Sequence, residues 1–506
     1  MSALGVALKD RWNPLGAVFV LILAVVLGIA IVAFDKLAVA GLFGLIGFCF
    51  FLRFPVLGLY ATVILLLLSG TGGVIGAGGI HVAVPLTLAK LCGAAALAAW
   101  ALNLLTRRQS WHFGWEVILA IVFLIWSLFG TVFSDNRAEQ LPEWIRLGTL
   151  VGFFVMGVDL LSGGENAKKR LRAYIVIICL CVFLSAASAV AQYFMPSTYI
   201  EGVEGRATFQ ETGGAIVDPE SLAGEAAIRV SGRAQHSNWL AFTLLCVLPL
   251  NAFWFTVSKR KLFKTFVVIA TLVELAALIL TFTRTGFLVG VIVIVLLALK
   301  QQVKSSPYRF VGLALAVVLG WMILPGPYKE RVLTFRQYTG SKSVQTRAQL
   351  QSAAWEYMTE HPIKGVGVGG FGFLMKEEPN EAGRIMKIVV EHYDWNPLFI
   401  GVHNLYLQIG CETGLIGLAV FLAFIVLLMR HVHLAEQRFK AGGDDEWRTL
   451  AATLQVSLVA FLVSGIFLHA LQQKVWWLIA AGAMGLCLIA ANAEHREDET
   501  KPVQAS

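Results

Sequence analysis

The sequence predicts an all-α polytopic membrane protein with about 12 to 14 transmembrane helices and a mainly helical polar cap. Of its 506 residues, 57% are hydrophobic and 14% are charged, and the mean hydropathy is +0.73. Its apolar residues fall into runs of about 20, the length that crosses the ~30 Å hydrocarbon core of a bilayer. A soluble domain of this composition would expose large apolar patches, so that class is excluded.

The apolar runs predict fourteen spans, or twelve if the short neighbouring runs merge into longer helices. We place them at 15–34, 37–52, 54–70, 85–105, 115–133, 144–161, 172–194, 238–257, 263–282, 285–300, 309–325, 402–429, 449–470 and 474–492. The residues before Leu15 are too few and too polar for a cleaved signal peptide, and no small-residue cleavage site follows the first run. We therefore expect that run to be retained as a span.

Lysine and arginine predict the orientation of these spans. Seventeen of them fall in the loops 106–114, 162–172, 258–264, 300–310 and 430–448, whereas the alternate short loops contain only Lys36 and Arg137. This asymmetry places the basic loops and both termini in the cytoplasm. The net charge of +8 is therefore read as a signal of orientation, and no nucleic-acid partner is expected.

The orientation divides the chain into regions. We expect a transmembrane bundle over 1–325 with an outer loop at 195–237, an outer cap domain at 326–401, C-terminal transmembrane helices over 402–492 and a cytoplasmic tail at 493–506. Chemistry in the outer segments has no access to nucleotide triphosphates or nucleotide sugars, so its substrate must be activated beforehand, for example on a lipid. Neither an inverted repeat nor a Walker loop is evident in the sequence.

The seven cysteines all lie inside apolar runs, so neither a structural disulfide nor a cysteine-based metal site is expected. Paired carboxylates in an outer loop would suggest Mg²⁺ or Mn²⁺. The nearest analogue is Asp218 with Glu220, and we predict no metal and no other cofactor. Glu274, in the middle of a span, is read as a hydrogen-bonded structural residue in preference to part of an ion path.

The cap has a distinctive local pattern. Its segment QTRAQLQSAAWEYMTEHP predicts a helix that ends at Pro362. The glycine-rich run KGVGVGGFG follows, and glycine lets a backbone turn sharply or approach a bulky ligand closely. His403 and Asn404 then stand at the outer mouth of a long span. Gly410, Gly414 and Gly417 follow at the spacing of close helix contacts.

This pattern resembles the O-antigen ligase and polymerase superfamily. The residues that carry the resemblance are Arg347, Trp355, Pro362, Gly365, Gly367, Gly370, Phe371, His403, Asn404, Leu407, Gln408, Glu412, Gly414 and Gly417. The triplet Thr283, Arg284 and Thr285, and the run SGRAQHSN that ends in Asn238, belong to it as well. In relatives a Ser often precedes the Arg, and a Pro is often present in the second loop.

The resemblance implies a glycosyltransferase of the GT-C type in the bacterial inner membrane, with its active site facing the periplasm. Closest are the O-antigen ligases, which move O-antigen from undecaprenyl pyrophosphate to the lipid A-core oligosaccharide. The expected reaction is inverting and metal-independent. The alternatives are an O-antigen polymerase, a protein O-oligosaccharyltransferase and, outside the enzymes, a transporter of lipid-linked glycans.

Transfer from a pyrophosphate carrier needs a base for the acceptor hydroxyl and fixed cations for the departing pyrophosphate. Arg284 and Arg347 are the candidate pyrophosphate-binding residues, because a guanidinium binds phosphate oxygens bidentately. His403 is the candidate catalytic base. The structural alternatives are a helix cap for His403, snorkelling to lipid headgroups for Arg284, and an ion pair of Arg347 with Glu356 or Glu360.

Further outer-side residues are candidates for substrate binding. They are Asn404, Arg206, Arg233 and Asn238, and Arg229 is a further cation whose contact the sequence leaves open. Sugar identity, linkage and oligomeric state are also left open.

Overall fold

The computed structural model of the chain describes residues 36–68, 88–106, 114–195, 230–234, 236–300, 326, 342–377 and 401–500. These residues form fourteen helices and no strand. The helices are α1 (Lys36–Arg53), α2 (Pro55–Leu68), α3 (Leu88–Thr106), α4 (Trp115–Val132), α5 (Arg137–Ser162), α6 (Ala167–Phe194), α7 (Ser237–Val257), α8 (Lys261–Leu280), α9 (Arg284–Lys300), α10 (Lys342–Glu360), α11 (Gly370–Glu377), α12 (Leu405–Ala441), α13 (Asp445–Gly465) and α14 (Lys474–Thr500). Within the described ranges nine helices are long and apolar enough to cross a membrane. The prediction of an all-α, multi-pass membrane protein is confirmed.

Most of the predicted spans coincide with these helices, although some of the helix ends differ. The runs at 15–34 and 309–325 lie outside the described residues. Helix α12 continues to Ala441, well past the apolar run that ends at 429, and stops where Gly442 caps it. Hydropathy marks only the part of a helix that suits lipid, whereas polar helix formers such as those after Met429 extend the same helix beyond it.

The chain divides into two compact units. The first contains residues 1–58 and 73–107, and its described helices are α1, the start of α2, and α3. Asn103 of α3 donates a hydrogen bond from its side-chain amide to the carbonyl oxygen of Leu52 at 2.9 Å. Phe51 and Ala96 pack around Gly58.

The second unit contains residues 59–72 and 108–506 and has an aromatic core. Phe461 of α13 stacks on Trp476 of α14 with ring centroids 3.7 Å apart, and Trp477 stacks on Phe424 of α12 at 6.1 Å. Phe154 of α5 meets the edge of this group. Because all five side chains are buried, they fix α5, α12, α13 and α14 to one another.

The helices of the second unit have two distinct ends. At one end Lys168 pairs with Asp444 at 2.7 Å, and Arg172 pairs with Glu446 at 2.6 Å beside the Trp447 ring. Lys300 joins Glu436 there at 2.7 Å. These residues lie in or beside the loops that the charge pattern places in the cytoplasm, and that sidedness, like the region boundaries at 326–401 and 402–492, stays a prediction.

The buried carboxyl of Glu274 was expected to be satisfied by a hydrogen bond between helices. It accepts one from the side-chain amide of Asn251, which links α8 to α7 at 2.8 Å. The expected hydrogen bond is confirmed at this oxygen, while the second carboxylate oxygen has no partner among the described residues.

Candidate active site

Helix α12 is interrupted at Gly414, near the end of the unit opposite the ion pairs. Gly414 has φ 71° and ψ 180°, so the hydrogen-bond ladder of the helix is broken there. The carbonyl oxygens of Cys411 and Glu412 instead accept from the backbone N–H groups of Val366 and Gly367 at 3.0 and 2.9 Å. The N–H of Leu415 donates to the carbonyl oxygen of Pro362 at 2.7 Å. The segment after α10 thus satisfies the backbone groups that the break exposes.

The glycine-rich run makes close contacts with protein on both sides. A Cβ at Gly365 would overlap the backbone of Glu412, and one at Gly367 would overlap the side chain of Gln140. The Gln140 amide also donates to the carbonyl oxygen of Val366 at 3.2 Å. Of the two uses that the sequence suggested for these glycines, the structure shows the close approach, but to the protein's own helices. The glycines at 365, 367 and 369 all have positive φ, which also confirms the sharp turns.

Asn404 is the N-cap of α12. Its side-chain oxygen accepts hydrogen bonds from the backbone N–H groups of Tyr406 and Leu407 at 3.0 and 3.1 Å. The residue before it, His403, has φ 55°, a left-handed conformation that side chains with a Cβ rarely adopt. Asn404, and not His403, is thus the residue that caps α12. The turn before Asn404 carries the His403 side chain at the mouth of this helix.

His403 lies beside a second histidine from a distant part of the chain. The imidazole of His469, between α13 and α14, meets the His403 ring edge to face with centroids 5.3 Å apart. Both side chains are half-buried, and the Nδ1 atom of each is buried without a hydrogen-bond partner among the described residues. Trp239 at the start of α7 packs against the other side of His469 at 6.0 Å.

The charges around these rings keep them neutral. Burial lowers the pKa of His403 well below its usual range, and His469, Arg347 and His236 lower it further because each can place positive charge nearby. Burial, with Arg146 and Arg347, lowers the pKa of His469 to about 4. At neutral pH each imidazole is therefore unprotonated, and the lowered pKa also makes each ring a weaker base than a free imidazole.

Arg347 lies within electrostatic range of the two histidines. It lies in α10, is half-buried, and is close enough for its charge to act on both His403 and His469. Glu356 and Glu360, the alternative partners of Arg347, lie nine and thirteen residues further along the same helix, about 14 and 20 Å away at 1.5 Å per residue, which is beyond the reach of an ion pair. A guanidinium here suits an anionic group that approaches the histidine pair.

Arg284 is the first residue of α9, directly after a tight turn. Phe282 in that turn has φ 50°, and the Thr281 and Thr283 hydroxyl groups are 2.9 Å apart. A Cβ added at Gly286 of α9 would lie 3.5 Å from the Cβ of Ala241 near the start of α7, so Arg284 is at the same end of the unit as the histidines. Its convergence with Arg347 on one ligand stays a prediction.

Some of the remaining candidates lie among the described residues and others lie outside them. Arg233 is half-buried, and its backbone N–H donates to the Ser185 hydroxyl at 3.1 Å. The backbone N–H of Asn238 donates to Nδ1 of His236 at 3.1 Å, inside the first turn of α7. Arg206 and Arg229 lie outside the described residues, as do Asp218 and Glu220.

Two members of this cluster were not predicted from the sequence, namely His469 and His236. His469 lies at the outer end of the span predicted at 449–470, in the run FLHALQQK, and His236 precedes the span predicted to begin at 238, so the predicted orientation places both on the same side as His403. The predicted orientation alone could have identified both histidines as outer-side candidates. It could not have predicted how close they lie to His403.

Comparison with known proteins supports the resemblance stated from the sequence. Residues 266–422 match a protein-family model described as O-antigen ligase, and this segment contains Arg284, Arg347, His403 and Asn404. A protein of Rickettsia conorii (strain ATCC VR-613 / Malish 7), named "Putative polysaccharide ligase", is 22% identical over 236 residues, which cover 46% of this chain and 51% of that protein. A protein with the same descriptive name from Rickettsia felis (strain ATCC VR-1525 / URRWXCal2) is 20% identical over 398 residues, 77% of this chain and 83% of the relative. The chain thus spans about half the length of the first relative and most of the second, and its resemblance to the O-antigen ligases is confirmed.

Proposed function

We propose, from the O-antigen ligase model that residues 266–422 match, that this membrane protein is an O-antigen ligase. It transfers a glycan from undecaprenyl pyrophosphate to the lipid A-core oligosaccharide at the periplasmic face of the inner membrane. The lipid-linked donor fits a chain with at least nine helices suited to a membrane, because both the carrier and the lipid A anchor stay in the bilayer while their polar groups meet at its surface.

The observation that supports the proposal is that His403 and Arg347, which come from separate parts of the matched segment, lie close enough for the arginine charge to act on the imidazole. A neutral imidazole within electrostatic range of a guanidinium would supply the two groups that transfer from a pyrophosphate requires. The imidazole accepts the proton of the attacking hydroxyl, and the guanidinium stabilises the negative charge that grows on the departing pyrophosphate.

The proposed assignments follow from the positions of these groups. His403 is the general base, and Arg347 binds the pyrophosphate with help from Arg284. Arg233, Asn238 and Asn404 line the approach for the substrates, with Asn404 also capping α12. Inversion at the anomeric carbon follows from direct attack by the acceptor hydroxyl.

The role of His403 is tested by replacing it in purified protein supplied with lipid-linked donor and lipid A-core acceptor. His403→Ala should lose transfer by roughly 10² to 10⁴-fold, the usual contribution of a general base, while it still binds the donor. His433→Ala, at the exposed far end of α12, is the matched control and should transfer at the wild-type rate. A stable His403→Gln variant with full activity would reject the base assignment, because glutamine hydrogen-bonds but does not take up the proton.

Pyrophosphate binding is tested at Arg347. Arg347→Ala should lower transfer by roughly 10² to 10³-fold, the effect of losing one preorganised donor, and should weaken donor binding. Arg347→Lys should recover only part of the loss, since it keeps the charge but not the bidentate fork. Arg430→Ala, exposed at the far end of α12, is the control. An Arg347→Ala variant with normal transfer would make this arginine structural.

The same assay shows which acceptor the enzyme uses, and it tests whether transfer requires a metal ion. Product formed with lipid A-core, and not with a second lipid-linked glycan, supports the ligase over the polymerase. Activity that persists in excess EDTA supports transfer without a divalent ion. Loss in EDTA and recovery with Mg²⁺ or Mn²⁺ would instead direct attention to Asp218 and Glu220.

A further inference from the structure

The backbone at His403 is in a conformation that needs external support. Among the described residues only His403 and Phe282 have positive φ without being glycine. The left-handed region brings Cβ too close to the following carbonyl, so an L residue stays there only when its surroundings hold it. The neighbours of His403 show what holds it.

Both residues that flank His403 are hydrogen-bonded to α12. On one side the backbone N–H of Val402 donates to Oε1 of Gln408 at 2.9 Å. On the other side Asn404 caps the helix through the N–H groups of Tyr406 and Leu407. The turn that presents the imidazole is thus bonded to the helix before and after it.

Gln408 makes a second hydrogen bond that extends this support. Its Nε2 donates to Oε1 of Glu412, one turn further along α12, at 2.6 Å. The backbone carbonyl oxygen of Glu412 accepts from the backbone N–H of Gly367 in the glycine-rich run at 2.9 Å, and only 4% of Glu412 is exposed. Three hydrogen bonds therefore connect the glycine-rich run, through Glu412 and Gln408, to the turn at His403.

The chemical types along this chain of bonds are constrained. Gln408 must accept from one partner and donate to the other at the same time, which an amide can do and a carboxylate or an alkyl group cannot. The Glu412 side chain must accept from Gln408, which a carboxylate does, while its backbone carbonyl accepts from Gly367. Because these hydrogen bonds hold neighbouring parts of the protein, each residue acts through the residues it holds.

We infer that Gln408 and Glu412 are positioning residues, which hold His403 in its left-handed turn and tie its position to the glycine-rich run. The inference rests on the proposed function, in which His403 is the base. Under this inference the two polar residues affect the rate of transfer, and they do not act by binding the donor or by stabilising the fold.

The test exchanges the two side chains. Gln408→Glu removes the donor toward Glu412 and sets two carboxylates against each other, so at pH 8 the turnover number should fall by about 10 to 100-fold while the donor KM changes little. Glu412→Gln alone should lose less, because its amide oxygen still accepts a hydrogen bond. The double variant Gln408→Glu with Glu412→Gln keeps every donor opposite an acceptor and should regain most of the lost rate. Gln437→Glu, exposed near the far end of the same helix, is the matched control and should not alter transfer.

The His403→Ala background separates positioning from general stability. Rates are expressed per molecule that binds the lipid-linked donor, so a misfolded fraction does not count. If Gln408 acts through His403, Gln408→Glu causes no further loss in the slow residual transfer of His403→Ala. A loss of the same factor in both backgrounds, or a double variant as slow as Gln408→Glu, would overturn the inference. Wild-type transfer by His403→Ala would instead reject the proposed function, whatever the Gln408 variants do.

Discussion

The two half-buried imidazoles of His403 and His469 link the chemistry of the site to the stability of the fold. Their rings share an environment that already contains Arg347, so a proton on either ring is repelled by its neighbours and poorly solvated. The same burial that keeps both rings unprotonated at neutral pH makes the folded state sensitive to acid.

This sensitivity predicts a pH dependence with a definite sign. The pKa of His469 is about 4 in the folded protein and near ~6.5 in an unfolded chain, so between these values the unfolded state binds more protons. Stability from this source is complete above pH ~6.5 and is lost as the pH falls toward 4. The melting temperature in detergent should therefore fall over that window, and less steeply in His469→Asn than in wild type. His433→Asn, which is exposed, should follow the wild-type curve. An equally steep fall in His469→Asn would contradict the burial argument.

The position of His403 could be predicted from the sequence, whereas its conformation and its partner could not. A histidine followed by asparagine at the start of a long apolar run predicts a polar residue at a helix mouth, and Asn404 is the cap that this pattern suggests. The left-handed turn depends on the side chain of Gln408 and the contact with His469 depends on how α12, α13 and α14 pack. Neither follows from local spacing, because each joins residues that the fold brings together.

At the scale of elements, the break in α12 is the feature that organises the site. It divides the helix into a short segment that begins next to His403 and a long segment that continues toward the ion pairs. Backbone groups freed inside a membrane-spanning helix are costly unless protein satisfies them. Here the segment after α10 does so, and Trp126 of α4 adds a hydrogen bond from its indole to the carbonyl oxygen of Thr413 at 2.9 Å.

Gly414→Ala should therefore weaken the whole site. A Cβ at this position meets the carbonyl oxygen of Ile363, and φ 71° is strained for alanine. The strained backbone alone costs about 1–3 kcal/mol of folding free energy, and the displaced glycine-rich run should also slow transfer. Gly148→Ala in α5 is the control, since its Cβ would make only an ordinary contact with Leu124 at 3.6 Å and alanine favours a helix. Equal melting temperatures for Gly414→Ala and Gly148→Ala would show that the break in α12 does not require glycine at position 414.

The sequence predicted the helices better than it predicted this break. Apolar length is a direct consequence of bilayer thickness, so each predicted span within the described ranges coincides with a helix, although α5, α12 and α14 each extend seven to twelve residues past a predicted boundary. Gly414 was read as a close-packing glycine in the series with Gly410 and Gly417, and close contact is indeed present, since a Cβ at Gly410 would overlap Met358. The positive φ at Gly414 could not be read from that spacing, because it depends on hydrogen bonds to residues around Pro362.

At the scale of the second unit, the ion pairs of Lys168, Arg172 and Lys300 lie at the opposite end of the helices from the candidate active site at His403. The part of α12 after the break at Gly414 has 27 residues and, at 1.5 Å per residue, is about 40 Å long. That length exceeds the ~30 Å hydrocarbon core, so the two ends can stand on opposite sides of one bilayer. The count of seventeen basic residues against two then predicts that the basic end faces the cytoplasm.

This orientation predicts which positions an impermeant thiol reagent reaches. Ser352→Cys in α10 and Gln437→Cys near the end of α12 are both exposed, and each is placed alone in a chain whose seven native cysteines have been replaced. In intact spheroplasts the reagent should label position 352 and leave position 437 unlabelled until the membrane is permeabilised, because only the cap end is predicted to face outward. Labelling of both positions after permeabilisation shows that each thiol is reactive. Labelling of 437 but not 352 in intact spheroplasts would invert the topology, and it would move the histidine pair to the cytoplasm, where a pyrophosphate-linked periplasmic donor could not reach it.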